Sequence, residues 1–228
     1  MTLIVCLKAE DCIVFAADSL SSRGDAIISC TTQKLHAVAQ DAVIASAGCS
    51  RVLGRNWQEI LADFSQLRSG TDPSITTSEL QQFLGKVIGE VPRDIHGACR
   101  GGNTFLLAGY GVASPGMVVN KLTRVSDLRY FEPVKTVSDA ASDNYIEWIG
   151  DTEKVSGYTR AKNALYIPNM AKDVAVNFAI AAINEGIAAS LAVGNHTIGG
   201  EFVSVALVSA GQVELSRHPA SSPCTVTT

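Results

Sequence analysis

The segment TLIVCLKAEDCIVFAAD, residues 2–18, contains two short apolar runs separated by the charged pair Glu10–Asp11. Two runs of β-branched and apolar residues on either side of a polar turn are typical of a β-hairpin. We therefore predict antiparallel strands over 2–9 and 12–17. A polar loop over 19–24 follows, and three further short strands are predicted over 26–28, 34–39 and 42–47.

The same segment begins a series of three reactive side chains at equal spacing. Asp18 follows Thr2 by 16 residues, and Lys34 follows Asp18 by 16 residues. A threonine hydroxyl is a weak nucleophile that needs a base, and the free amine of an N-terminal threonine can be that base. A nearby lysine would lower the pKa of this amine, and a carboxylate would compensate the lysine charge. The spacing predicts an active site formed by Thr2, Asp18 and Lys34.

This prediction requires that Met1 is removed, because only then does Thr2 carry a free α-amino group. We expect removal, since threonine is a small residue at the second position. We also expect the hydroxyl and methyl groups of Thr2 to be accessible at the surface. Individually, each residue has an ordinary interpretation: Thr2 as the start of a strand, Asp18 as a turn residue and Lys34 as a solvated lysine.

Helical periodicity replaces the strand pattern after Gly48. Apolar residues over 53–67 predict a first helix, and a capping box formed by Thr76 and Glu79 predicts the start of a second. Strands are predicted over 104–108, 116–122, 128–131 and 145–149. A third helix is predicted to start near Asp151.

The segment 170–191 is predicted to form a fourth helix that is apolar nearly all round and therefore buried between other elements. Strands over 202–208 and 212–215 follow, and residues 217–228 are expected to be a flexible tail. The order of strands, two helices, strands, two helices and strands predicts an α+β fold, a four-layer αββα sandwich of two antiparallel sheets. We expect one domain over residues 1–228.

Composition restricts the classes of partner. The chain has 228 residues, a net charge of -4 and a pI near 5.5, so no basic field is available for nucleic acid or an anionic membrane. Its six cysteines include no CxxC pair, and no cofactor or metal is expected. We expect reduced cysteines, a cytoplasmic location and no signal peptide.

Several motifs in this chain resemble those of the proteasome β-subunit family of N-terminal threonine peptidases, in particular its bacterial, HslV-type members. They are Thr2 itself, Ala16-Ala17-Asp18, Lys34-Leu35, Ser46-Ala47-Gly48, Leu106-Leu107-Ala108-Gly109-Tyr110, Ile149-Gly150 and Gly199-Gly200-Glu201-Phe202-Val203. The resemblance covers nearly the whole chain, and it implies the N-terminal nucleophile hydrolase fold.

The resemblance also implies roles for individual residues. Thr2 would be the nucleophile and, through its amine, the base; Asp18 and Lys34 would tune and orient it; and the Gly48 N–H would stabilise the oxyanion. Residues implied to bind substrate are Ser21, Ser22, Thr32, Ser46 and Ser50, with Ser21, Thr32 and Ser46 near the first specificity pocket. These side chains are small and polar, which favours a roomy pocket. Asp151 and Asn195 occupy positions near which the family commonly carries other auxiliary residues.

Three functions are compatible with the sequence. The first is a threonine peptidase that hydrolyses unfolded polypeptides inside a homo-oligomeric ring or stacked rings, with an unfolding ATPase as its partner. The second is an inactive ring subunit with an assembly or binding role, which predicts that Met1 stays on. The third is an N-terminal-nucleophile amidase that acts on a small molecule without forming a ring.

Overall fold

A computed structural model of the protein describes residues 2–23, 26–39, 42–48, 51–52, 54–67, 73–89, 103–111, 116–124, 131–138, 145–150, 152, 155–194, 196 and 198–222. The strands are β1 (Leu3–Lys8), β2 (Ile13–Asp18), β3 (Ser21–Arg23), β4 (Ala26–Ser29), β5 (Leu35–Ala39), β6 (Ala42–Gly48), β7 (Arg51–Val52), β8 (Arg55–Asn56), β9 (Asn103–Gly111), β10 (Gly116–Arg124), β11 (Phe131–Ser138), β12 (Ile146–Gly150), β13 (Phe202–Ser209) and β14 (Gln212–Pro219). The helices are α1 (Trp57–Leu67), α2 (Pro73–Gly89), α3 (Ser156–Leu165) and α4 (Lys172–Ala192).

The chain divides into two compact units. The first comprises Met1–Leu35, Ala141–Leu207 and Glu214–Thr228, and the second comprises His36–Ala140 and Val208–Val213. Helices and antiparallel strands, the elements that the sequence predicts, occur in both. The four-layer arrangement and the single domain stay predictions.

The first unit contains most of a five-stranded sheet in the order β12-β1-β2-β13-β14. The predicted hairpin is confirmed: β1 and β2 pair antiparallel, with Ile4 opposite Ala17 and Lys8 opposite Ile13. A hydrogen bond of 2.8 Å from Ala9 N–H to the Cys12 carbonyl closes the turn. Every residue of both strands is buried, which explains why their apolar runs are continuous rather than alternating.

Helix α4 packs on β1 and β2 with one face. Gly186 allows this close approach, since a Cβ atom there would lie 2.5 Å from Leu3 Cδ2. The expectation that α4 is buried all round is wrong, because Val174 and Leu191 on the same helix are 55% and 37% exposed. By length and composition α4 could cross a membrane, but its buried residues belong to the core of this unit.

The second unit holds most of a sheet in the order β11-β10-β9-β6-β5, together with α1 and α2. Its core brings Trp57 of α1 edge-on to Phe105 of β9, with ring centroids 5.0 Å apart. Helix α1 starts at Trp57 rather than at residue 53. The reason is a reciprocal cap: Glu59 N–H donates to Asn56 Oδ1 at 2.9 Å, and Asn56 N–H donates to Glu59 Oε2 at 3.1 Å.

Other predicted boundaries differ from the structure. Helix α2 begins at Pro73, so Thr76 lies inside the helix rather than at its cap. The predicted polar loop contains strand β3, which pairs with β4. The strand placed over 128–131 begins at Phe131 and runs to Ser138. Helix α3 begins at Ser156, after Val155, instead of near Asp151.

Two further expectations differ from the structure, one about the cysteines and one about the C-terminal segment. Cys30 is disulfide-bonded, whereas Cys6 and Cys12 are free and buried. The expectation of reduced cysteines is therefore wrong at Cys30, whose partner lies outside the described residues. The segment expected to be flexible continues β14 to Pro219, and the Ser221 N–H still donates to Asn184 Oδ1 at 2.8 Å.

Candidate active site

Thr2 immediately precedes β1 and is 4% exposed. The expectation that its hydroxyl and methyl groups are accessible at the surface is therefore wrong for this structure. Leu3 pairs with Gly150 of β12, so the start of β1 lies between two neighbouring strands. In the chain that retains Met1 the Thr2 nitrogen is a peptide nitrogen, which is not basic.

Asp18, the last residue of β2, binds the chain directly after Thr2. Its Oδ1 atom accepts a hydrogen bond of 2.7 Å from the Leu3 N–H and one of 2.6 Å from Lys34 Nζ. Its Oδ2 atom accepts a third bond, of 3.1 Å, from the Gly199 N–H. The structure thus brings Asp18 and Lys34 together at the peptide bond between Thr2 and Leu3.

The Asp18–Lys34 ion pair is excluded from solvent, since the two side chains are 0% and 4% exposed. Burial lowers the pKa of Lys34 below its ordinary value, and the charge and hydrogen bond of Asp18 oppose part of that effect. Three hydrogen-bond donors surround the Asp18 carboxylate and stabilise its negative charge. Lys34 is therefore held in one place by a charged partner that is itself fixed to the backbone.

Ser19 connects the end of β2 to two other segments, a role that the sequence analysis missed. Its hydroxyl donates to the Cys30 carbonyl at 2.7 Å and accepts from the Phe202 N–H at 3.1 Å. Its backbone N–H donates to the Gly199 carbonyl at 3.0 Å, and its carbonyl accepts from Thr32 N–H at 2.8 Å. These contacts fix the residue next to Asp18.

Two glycines lie where another segment of the chain packs directly against their backbone. Gly150 has a φ of 106°, and a Cβ atom there would overlap the Thr2 carbonyl oxygen. Gly200 has a φ of 126°, and its Cβ atom would overlap Ser19 Oγ. Both conformations are in the region that side chains disfavour. The sequence motifs place Gly150 at the end of one strand and Gly199-Gly200 just before another. Their contacts with Thr2 and Ser19 could not be predicted from the sequence.

Three of the residues predicted to bind substrate lie in the first unit. Ser21 is buried on β3, where it pairs with Ser29 of β4. Ser22 is half-buried on the same strand, and Thr32 is half-buried in the connection between β4 and β5. All three belong to the segment that connects Asp18 to Lys34 along the chain.

The remaining predicted residues lie in the second unit or outside the described residues. Gly48 ends β6 with a φ of 120° and is exposed. Ser46 Oγ lies 3.4 Å from Nε2 of His36, which is also buried. Burial lowers the pKa of His36 to about 4. The predictions for Ser50, Asp151 and Asn195 concern residues outside those described.

The cluster around Asp18 brings two charged groups to the start of β1, next to Thr2. It contains one fixed ammonium group, one fixed carboxylate and a threonine within one residue of the carboxylate's backbone donor. In the part of the chain that the structure describes, no three His, Cys, Asp or Glu residues are grouped so as to hold a metal ion. An ammonium group beside a carboxylate is an arrangement that can take part in proton transfer.

No protein-family model matches the chain, and no curated protein matches it.

Proposed function

We propose that this protein is an N-terminal threonine peptidase in which Thr2 is the nucleophile. The observation that carries the proposal is the buried Asp18–Lys34 pair, whose shared oxygen Oδ1 also accepts the N–H of the residue after Thr2. An ion pair without solvent contact is a weak source of stability, which makes a functional reason for its presence attractive. The resemblance in spacing to proteasome β subunits supports the same assignment.

The proposed reaction begins after removal of Met1. The α-amino group of Thr2 takes the proton from Oγ1, and Oγ1 attacks the carbonyl carbon of the scissile peptide bond. The new C–O bond forms, the C–N bond breaks, and the ammonium group passes its proton to the leaving nitrogen. Water then hydrolyses the ester between Thr2 and the acyl half of the substrate, with the same amine as base.

Asp18 and Lys34 would act through Thr2 as positioning and tuning groups. The positive charge of Lys34 favours the neutral form of a nearby amine, which is the form able to accept a proton. Asp18 keeps Lys34 charged and holds the Leu3 N–H. The Gly48 N–H is the proposed oxyanion donor, and loss of one such donor typically lowers the rate by about 10²–10³.

The proposed substrate is unfolded polypeptide, and the proposed setting is a closed ring or stacked rings of identical subunits. A peptidase with an exposed active site would cleave accessible loops of folded proteins. A ring whose active sites face inward prevents such cleavage. Heterologous contacts between identical subunits close into rings when the rotation permits. An unfolding ATPase is the partner that such a chamber would require.

Intact-mass measurement and covalent labelling test the proposal together. The purified protein should lack Met1, and a peptide epoxyketone should modify Thr2 through both its hydroxyl and its amine. Thr2→Ala should abolish peptide hydrolysis, Thr2→Ser should retain part of it, and the exposed control Thr31→Ala should be unchanged.

Stoichiometric retention of Met1, or full hydrolysis by Thr2→Ala with contaminating proteases excluded, would overturn the proposal. Retained Met1 with ring assembly would instead favour an inactive subunit. Labelling of Thr2 with hydrolysis of small amides only, and no ring by analytical ultracentrifugation, would favour a small-molecule amidase.

A further inference from the structure

A cavity of about 450 Å³ lies beside β13 and β14 in the first unit. Leu35 and Val205 lie beneath its surface and are fully buried, and the exposed apolar side chain at the cavity is Leu215, which is 46% exposed. This volume falls within the range of about 300–1,000 Å³ that small-ligand sites occupy. The cavity is thus large enough for a ligand with a short apolar group.

The polar lining is dominated by Arg217 of β14. The Arg217 guanidinium lies 4.5 Å from the centroid of the Phe202 ring, and its Nη2 donates to Gln33 Oε1 at 3.2 Å. Gln33 in turn donates from Nε2 to the Leu35 carbonyl at 2.9 Å. The guanidinium is therefore oriented by a ring and by an amide that is itself fixed to the backbone.

Arg217 differs from two other cations, Arg55 and Lys172, in the charge around it. Arg55 pairs with Asp63 at 2.8 Å, and Lys172 pairs with Glu214 at 3.2 Å. Among the described residues, no carboxylate forms an ion pair with Arg217. A guanidinium has five N–H donors in a planar fork, and the amide oxygen of Gln33 accepts from only one nitrogen.

We infer that this cavity binds the carboxylate group of a ligand that carries a short aliphatic side chain. Arg217 binds the carboxylate with its forked donors. The hydroxyl of Ser204, which also lines the cavity, supplies a further hydrogen bond, and the exposed side chain of Leu215 contacts the aliphatic group. A single guanidinium matches the single negative charge of a carboxylate.

This inference does not depend on the role of Thr2, since none of the lining residues belongs to the Asp18–Lys34 pair. The carboxylate could come from a peptide C-terminus or from a small free acid. N-acetylleucine represents the first source, 4-methylpentanoate the second, and N-acetylleucinamide is the uncharged control. None of these probes contains a peptide bond between two amino acids.

Calorimetric titration of the full chain with each probe tests the inference. We expect saturable binding of at least one acid, with the amide at least about tenfold weaker. Arg217→Gln should weaken binding of that acid about tenfold, and so should Leu215→Glu, which adds a negative charge at an exposed lining position. Arg160→Gln removes an exposed arginine from α3 and should leave the affinity unchanged.

The two acids decide the source of the ligand. Binding of N-acetylleucine alone supports a peptide C-terminus, and binding of 4-methylpentanoate alone supports a small acid. Binding of both supports the shared carboxylate chemistry. The inference is overturned if neither acid saturates the protein at about 10 mM. It is also overturned if the amide binds equally well, or if Arg217→Gln binds like the unaltered chain.

Discussion

Lys34 Nζ lies 2.6 Å from Asp18 Oδ1, with both side chains almost completely excluded from solvent. Because both groups are buried, removing either charge would leave the other unpaired away from water, which strongly destabilises a folded protein. The pair is fixed to the backbone by the N–H groups of Leu3 and Gly199, which bind the carboxylate oxygens. Its geometry is therefore fixed by the fold itself.

The first prediction concerns the stability that depends on this pair. Lys34→Met should lower the free energy of unfolding by about 3 kcal/mol, because Asp18 then stays buried without its cation. Asp18→Asn combined with Lys34→Met should recover part of the loss, and urea denaturation of the single and double variants measures the coupling. The exposed pair gives the control: Arg55→Ala should barely shift the unfolding midpoint. Equal shifts for Lys34→Met and Arg55→Ala would contradict the prediction.

The second prediction concerns the close contact between Gly150 and Thr2. Gly150→Ala should destabilise the protein and abolish any hydrolysis that depends on Thr2, because the new methyl group overlaps the Thr2 carbonyl oxygen. The positive φ of 106° adds backbone strain. Thermal unfolding and peptide hydrolysis measure the two effects. Gly157→Ala is the matched control: no atom lies within 4 Å of its Cβ position, so its melting temperature should be unchanged or slightly higher.

The third prediction is a pH dependence of stability from His36. Burial lowers its pKa to about 4, so between that pH and about 6.5 the unfolded chain binds more protons than the folded one. Stability should therefore fall as the pH drops through this window, by up to about 3 kcal/mol from this residue. Urea midpoints across the window should depend less on pH in His36→Gln, whereas the exposed control His196→Gln should follow the unaltered chain. Identical profiles for all three proteins would exclude this role for His36.

The fourth prediction concerns the cysteines. Burial raises the pKa of Cys12 to about 11 and also raises that of Cys6, so neither thiol should react with iodoacetamide in the folded protein. After unfolding without a reductant, both should be alkylated while Cys30 stays unmodified, because it is disulfide-bonded. Peptide mass mapping distinguishes these states. Alkylation of Cys30 without a reductant would refute the bond.

The local hydrophobic pattern correctly predicted those elements whose formation depends mainly on residues close together in the sequence. The hairpin of β1 and β2 follows from two apolar runs and one charged turn, and α4 follows from its length and its apolar residues. Some boundaries were wrong for local reasons: the reciprocal cap of Asn56 and Glu59, rather than the apolar pattern, sets the start of α1. Helix α3 begins after Val155, which makes no side-chain cap, although the sequence offered Asp151 five residues earlier.

In the candidate site, too, some contacts follow from the sequence pattern and others do not. Of the equally spaced Thr2, Asp18 and Lys34, the structure joins Asp18 to Lys34, and Asp18 also binds the N–H of Leu3, the residue after Thr2. The active site formed by all three stays a prediction. The sequence did not reveal that Ser19 and Gly199 complete this arrangement. Their hydrogen bonds join positions that are 181 and 183 residues apart, and no local pattern encodes such contacts.

This separation has a consequence for protein synthesis. Asp18 is translated 181 residues before its Oδ2 partner Gly199, and Ser19 is translated 183 residues before its partner Phe202. A nascent chain that ends before Gly199 contains the reactive side chains but lacks the backbone that holds Asp18 in place. The order of translation therefore delays completion of this cluster until Gly199 and Phe202 have been added.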